Sequence, residues 1–336
     1  MPKDPIQLLA KTARSWQVSG QIERDRALFQ VHRLFTVEFP VENPGGLHGT
    51  IASIRPPRGG GRLFLAPDTR TLYVKQGRRY TPLATVHLEA HPPSEQALDA
   101  PPRPVHIRTD LLKRMIRGTS DAPMAKHVFL HPGGAAYHGT PYRIFRAQGA
   151  HNLPLHGVAA LPVEALELVL PHAEGGTWGY LEARDGKGPG KLVLELEGGV
   201  RLWVPLREET PPAYERFFQD HGTPIPPNAL GLKTYWEEAR KFGADHAVSH
   251  PNRYVELWRG NEFLGYHTRI PRYHAHLGRR SGISIKLLLE VLEFVGDAPT
   301  LERVGEKALR LSDPSKRRQA ALSLWEVSPR TAKPLP

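Results

Sequence analysis

Four segments of the chain share one form: a short apolar strand, a capping residue, about three turns of amphipathic helix, then several strands. They are VHIRTDLLKRMIRG from Val105, GVAALPVEALELVL from Gly157, PPNALGLKTYWEEARKFG from Pro226 and SGISIKLLLEVLEFVG from Ser281. Such a repeat constrains the fold strongly, because each copy must adopt the same supersecondary unit and cover its neighbour's apolar face. The helices are marked by punctuation as well as by period. Thr109 or Asp110 caps the first, Pro162 suits the first turn of the second, and Gly118, Gly243 and Gly296 end three of them. The strands that follow include HVFLHP from His127, KLVLELEG and VRLWVPL from Lys191 to Leu206, RYVELW and EFLGYHT from Arg253 to Thr268, and ALSLWEV from Ala321.

The four starts lie about 52, 69 and 55 residues apart. The two similar steps separate halves of like units, and the longer one crosses a linker rich in proline (Pro211, Pro212, Pro224, Pro226 and Pro227). Residues 105–218 and 219–330 therefore read as two copies of a doubled strand–helix–strands unit, an α+β arrangement. One helix per half cannot cover both faces of a sheet, so the strands are expected to form continuous sheets with helices along one side. An ordinary α+β protein with coincidental spacing is the competing interpretation. Residues 1–104 fit less well. A helix is expected at Ile6–Trp16, followed by strand-like ALFQVHRLFTVEFPV, RLFLAP, TLYVKQG and TPLATVHLEA. Where a second helix should begin stands only TIASIRPPRGGGR, too rich in Pro and Gly for one. The region is a third copy with one helix eroded, or an unrelated β domain. HPPSEQALDAPPRP (His91 to Pro104) is its linker to the rest.

Charge bears on partners. Lys plus Arg is 45 against 34 for Asp plus Glu, a formal +11, which argues for a polyanionic partner and most often nucleic acid. The absence of cysteine excludes disulfides, thiolate catalysis and cysteine-ligated metals, and suits a reducing cytoplasm. No apolar run approaches the roughly 18 residues that span a bilayer, and the start does not read as a signal peptide. Histidine spacings such as His274-x-His276 and His246-x-x-x-His250 resemble ligand pairs, but HExxH is absent, and so is a Gly-x-Ser-x-Gly elbow. No catalytic residue, metal site or cofactor is assigned. Basic clusters such as Arg58-Gly59-Gly60-Gly61-Arg62 and Lys316-Arg317-Arg318 punctuate loops, and no helix of the phosphate-loop kind follows the glycine-rich one.

Three short matches carry a family resemblance. GTPYRI (Gly139 to Ile144) is similar to the Thr-Asp-Gly-His-Arg-Leu turn in the second domain of bacterial DNA polymerase sliding clamps, with Arg143 and Ile144 in place and Tyr142 where His would stand. PPAYERFF (Pro211 to Phe218) is similar to the Phe-Pro-Asp-Tyr-x-Arg-Val stretch that closes that domain, and LPVEALELVLP (Leu161 to Pro171) to a strand-to-helix step within it. At the level of pattern the resemblance covers residues 105–330. Two departures are plain: the C-terminal Met-Pro-x-Arg-Leu is missing, and the charge is basic where such clamps are usually acidic. Both suit a divergent member, such as one carried by a phage or plasmid.

The resemblance implies a clamp fold of three tandem domains: a divergent one over 1–104, then 105–218 and 219–330, with 331–336 as a tail. Sheets would lie outside and helices would line a ring, a homodimer encircling double-stranded DNA and tethering a DNA polymerase and a clamp loader through short peptide motifs, near the nucleoid in the cytoplasm. DNA contacts would be phosphate-directed, from Lys113, Arg114 and Arg117 on one helix and Lys233, Arg240 and Lys241 on another. A solvated helix face accounts for the same residues. Glu164 and Glu167 on the intervening helix would keep the lining from being uniformly basic. The peptide pocket would take Tyr142, Arg143, Ile144, Pro212 and Phe217, with Leu324, Trp325 and Val327 from the last strand. The competing interpretations are core packing for the aromatic and aliphatic members, and a basic DNA-binding replication or regulatory protein that closes no ring. A nucleic-acid-processing enzyme with an unrecognised site is the third.

Overall fold

The structure, a computed structural model, describes the chain apart from residues 1–5, 8–17, 24–25, 32–34, 41–48, 52–60, 67–70, 86–104, 118–124, 141, 170–176, 183–190, 196–200, 208, 220, 251–252, 278–280, 297, 306 and 327–336. Six times a leading strand is followed by a run of three. In the first pair of halves these are β1 (Ile6–Gln7) with β2 (Val18–Glu23), β3 (Arg26–Val31) and β4 (Phe35–Pro40), then β5 (Gly49–Ile51) with β6 (Arg62–Ala66), β7 (Thr71–Gln76) and β8 (Arg79–Thr85). The second pair has a helix in each half. It comprises β9 (Val105–Ile107), α1 (Thr109–Ile116), β10 (His127–Leu130), β11 (Ala136–Thr140) and β12 (Arg143–Ala147), then β13 (Ala159–Pro162), α2 (Val163–Val169), β14 (Thr177–Glu182), β15 (Lys191–Glu195) and β16 (Arg201–Pro205).

A short helix, α3 (Arg216–Gln219), leads into the third pair. Its first half holds β17 (Thr223–Ile225), α4 (Lys233–Lys241), β18 (His246–His250), β19 (Arg253–Arg259) and β20 (Glu262–His267), followed by α5 (His274–Leu277). Its second holds β21 (Ser281–Ser284), α6 (Ile285–Val295), β22 (Thr300–Val304), β23 (Ala308–Ser312) and β24 (Arg318–Ser323), closed by β25 (Trp325–Glu326).

Pairing repeats as faithfully as order. In every pair of halves the leading strand crosses antiparallel to the other half: β1 to β6 and β5 to β2, β9 to β14 and β13 to β10, β17 to β22 and β21 to β18. The last strands then reach further along the chain, β4 pairing with β16 and β12 with β24. By contact the molecule divides into two compact units. One comprises Met1–Lys113, Lys126–Gly134 and Ala150–Thr210, and the other Arg114–Ala125, Ala135–Gly149 and Pro211–Pro336. The first holds the four-stranded sheet β1-β6-β7-β8 and the eight-stranded sheet β5-β2-β3-β4-β16-β15-β14-β9. The second holds the run β11-β12-β24-β23-β22-β17 and the five-stranded sheet β20-β19-β18-β21-β25.

Local chemistry explains the helices of the second unit. At α6 the Ser284 hydroxyl accepts the Leu287 N–H at 3.4 Å, and Gly296, at φ 97°, ends the helix. Between them Leu288, Val291, Leu292, Phe294 and Val295 are buried. Full burial of such a side chain is worth roughly 1.5–3 kcal/mol. Phe294 packs edge-on to Phe145 of β12, 5.0 Å between ring centres. Helix α4 buries only Trp236 and Ala239, and the Trp236 indole donates to the Leu230 carbonyl at 2.7 Å. That bond helps to fix the turn over Pro226–Leu230, so the helix begins at Lys233 and not at Pro226, where the repeat is read to start.

The N-terminal helix expected at Ile6–Trp16 is corrected at its first two residues. Ile6 and Gln7 form a strand against Leu65 and Phe64, and residues 8–17 lie outside the described residues. The proline-rich linker at 91–104 and most of TIASIRPPRGGGR lie outside them as well. Among the described residues no helix is long and apolar enough to cross a membrane.

Candidate functional site

A cavity of about 320 Å³ opens in the second unit beside the tip of the β11–β12 hairpin. The hairpin is tight because Gly139 lies opposite Ile144; a Cβ on Gly139 would come within 2.7 Å of the Ile144 Cα. Tyr142, at the tip, is 65% exposed, and its carbonyl accepts the Ser323 N–H at 2.8 Å. The segment before α3 is pinned by buried Tyr214, whose hydroxyl donates to the Gly139 carbonyl at 3.1 Å. Burial pushes the pKa of that hydroxyl up, so it remains a donor.

Of the residues expected to form the peptide pocket, Tyr142, Arg143, Ile144 and Phe217 line this cavity. The others do not. Pro212 is exposed, Leu324 is buried (5% exposed), Trp325 pairs with Gly282 in the five-stranded sheet, and Val327 lies outside the described residues. The remaining wall comes from places sequence reasoning missed. Arg216 is contributed by α3, Val304 and Ala308 by β22 and β23 with Lys307 between them, and Ala321, Leu322 and Ser323 by β24. The cavity thus has an aliphatic floor with three cations, Arg143, Arg216 and Lys307, along its lining. It offers chemistry for holding apolar side chains.

Arg143 also reaches away from the cavity. Its guanidinium, 4% exposed, is bonded to the Glu290 carboxylate on α6. Burial pushes the Arg143 pKa below its ordinary value, which is high enough that the group stays charged.

The six candidate DNA-contacting cations divide. Lys113, half-buried, and exposed Arg114 lie on α1. Arg117, just past that helix, pairs with Glu293 of α6 at 3.0 Å, both side chains largely exposed. Glu293 also borders a cavity of about 450 Å³ between α4 and α6 that Lys233, Arg240 and Lys241 line with Glu237 and Leu289. The structure therefore places Lys233, Arg240 and Lys241 along one cavity with Glu237 and Glu293, and Arg117 on Glu293 at its border. Lys233 and Glu237 form an i,i+4 pair at 3.7 Å, worth little at such exposure. Glu164 and Glu167 on α2 are exposed. Among the described residues no three potential ligands gather to hold a metal ion.

Among the described strands eight end a sheet with one neighbour only, and β8 and β20 are the two of these that are the last strand of their half. On β20 an aromatic cluster faces solvent: Phe263 and Tyr266 are 44% and 47% exposed, 5.0 Å apart, and Trp258 of β19 stands 5.3 Å from Phe263. The strand ends at His267, whose Nδ1 accepts the Ile270 N–H at 3.1 Å. Burial, and then the charge of Arg269, push the His267 pKa below the ordinary value, against the opposing pull of Glu238. Its proton is bound more readily in the unfolded chain, so stability is complete above about pH 6.5 and declines as the pH falls from there towards the lowered folded value. Melting temperatures measured from pH 7.5 to 5 should fall, and His267→Gln should make the decline shallower. An unchanged slope would show that His267 titrates as if unfolded.

Solved structures share this architecture. The DNA polymerase sliding clamp of Caulobacter crescentus matches with a TM-score of 0.52 over 92% of this chain and 91% of its own, at 13% identity. The DNA polymerase III subunit beta of Pseudomonas aeruginosa matches at 0.53 over 96% and 97%, at 14% identity. The Helicobacter pylori beta clamp bound to a DNA ligase peptide matches at 0.52 over 94% and 93%, at 12% identity. No protein-family model matches the chain, and no curated protein matches its sequence. At these identities the likeness is one of fold. The chain has the α+β fold of the bacterial DNA polymerase sliding clamps.

Proposed function

We propose that two copies of this chain close head to tail into a ring around duplex DNA and tether a polymerase or another replication protein to it. The two edges left by an otherwise regular pairing rule carry this reading. The last strand of one pair's first half pairs with the last strand of the following pair's second half, β4 with β16 and β12 with β24. By the same rule β20 awaits a strand equivalent to β8, and the chain's own β8 belongs to the opposite end of the repeat. A second copy supplies it. Such a heterologous contact generates a closed ring when its rotation closes. The three repeated pairs are then three domains, 1–104, 105–218 and 219–330.

The cations around Glu293 suit non-specific phosphate contact, which permits sliding. The cavity at Tyr142 to Ile144 suits a short partner peptide with apolar anchors, and the likeness to a clamp bound to a DNA ligase peptide supports that mode. The role is mechanical, a topological link, and needs no catalytic group. Exchanging Phe263 and Tyr266 together for lysine places charge on the β20 edge, a common device against edge pairing. Sedimentation should then give monomers from a dimeric parent, with an unchanged melting temperature for the isolated chain. A variant that stays dimeric would reject β20 as the closing edge.

A further inference from the structure

A second cavity, of about 290 Å³, shares the sheet of the candidate peptide pocket. Four strands each lend one residue to the first cavity and another, two positions along, to the second. These are Ile144 and Arg146 on β12, Ala321 and Gln319 on β24, Ala308 and Arg310 on β23, and Val304 and Glu302 on β22. Residues two apart on a strand share a face, so the cavities open on the same side of the sheet, about 7 Å apart along the strands. Helix α3 borders both. Arg216 and Phe217 line the first cavity, Phe218 lines the second, and the Arg310 guanidinium donates to the Phe217 carbonyl at 3.1 Å.

Their chemistry differs. In the second cavity Arg310, 5% exposed, donates to Glu302 at 2.7 Å, and these two charges offset each other. Arg146 has no such counter-charge. It lies 5.9 Å from the rings of Tyr137 and Phe218, donates to the amide oxygens of Gln319 and Gln148 at 2.5 and 3.0 Å, and keeps a buried Nε without a partner. Among the described residues no carboxylate pairs with it. Exposed Lys316 adds a further cation to the lining, held at φ 55°, a left-handed placement that is uncommon outside glycine. A part-buried cation with a spare donor is costly until an anion meets it.

We propose that this cavity is a carboxylate subsite for the peptide that occupies the first one. Apolar side chains fill the pocket beside Ile144, while an Asp or Glu two or three residues away, or the peptide's own C-terminus, sits against Arg146 and Lys316. An extended peptide advances about 3.3 Å per residue, so this span matches the separation along the strands. The inference rests on the reading of the first cavity as a peptide pocket, and the test separates the two.

Two labelled synthetic nonapeptides serve as probes, each with a pair of leucines, one with Glu-Glu three residues away and one with Gln-Gln there. With the full-length protein at low salt the Glu peptide should bind about tenfold more tightly, the scale of a charge-assisted hydrogen bond. Lys316→Gln should remove most of that preference while leaving the Gln peptide's affinity and the melting temperature unchanged. Equal affinity of both peptides for the wild-type protein would overturn the subsite and leave the pocket standing. If neither peptide binds, the pocket reading fails, and inorganic phosphate decides the subsite. A melting temperature that rises with phosphate in the wild-type protein but not in Lys316→Gln supports it, and identical responses reject it.

Discussion

Cutting a DNA circle should release the protein at least a thousandfold faster than it leaves the intact circle. Electrostatic contact alone gives dissociation constants near 10⁻⁵ M at physiological salt, and steered association approaches about 10⁸ M⁻¹ s⁻¹; together these imply bound lifetimes on the order of a millisecond. A protein held only by Arg117, Lys233, Arg240 and Lys241 should therefore leave circular and linear duplexes equally fast. A ring closed through β8 and β20 leaves a circle only when that seam opens, yet slides off a free end at once. Retention on gel-filtered plasmid, before and after a single restriction cut, measures the difference. Equal retention would leave a basic DNA-binding protein that closes no ring as the better account.

The second large effect is expected at Arg143. Its guanidinium and the Glu290 carboxylate are 4% and 15% exposed, so Arg143→Ala strands a carboxylate against α6. Breaking a buried pair from one side typically costs about 3–5 kcal/mol, whereas replacing both partners by apolar groups of similar volume is often neutral or stabilising. The single variant should melt roughly 10 °C lower, taking about 2–4 °C per kcal/mol for a domain of this size. The double variant Arg143→Met with Glu290→Leu should recover most of that loss. A single variant within 1 °C of the parent would show the pair to be solvated.

The repeat was legible because it is written locally. Ser284 and Gly296 mark the ends of α6 by their own chemistry, and the apolar run Leu192 to Leu194 between Lys191 and Glu195 marks a strand without reference to any partner. What could not be read is the pairing of strands far apart in the chain. Nothing near Ile144 announces Ala321, although the two are register partners, so Val304, Ala308 and Ala321 went unnamed as pocket walls. The β12–β24 pairing also draws β11 and β12 into the same compact unit as the last half, which no boundary read from linkers could anticipate. Leu324 shows a finer limit. Its neighbour Ser323 lines the cavity while Leu324 is buried, a distinction that depends on knowing where β24 ends. Within the matched motif around Pro212, Arg216 and Phe217 line the cavity and Pro212 does not.

The long-range seams have a consequence for how the protein is made. β4 ends at Pro40 and its partner β16 begins at Arg201, about 160 residues later. At roughly 5–20 residues per second, a ribosome needs on the order of ten seconds or more to cover that distance. Throughout that interval β4 presents unsatisfied backbone donors and acceptors to whatever is nearby, including the same strand on a neighbouring nascent chain. β12 then waits about as long for β24. Expression yield should thus depend on translation speed and on chaperones that cover bare strands, more than the stability of the finished molecule would suggest.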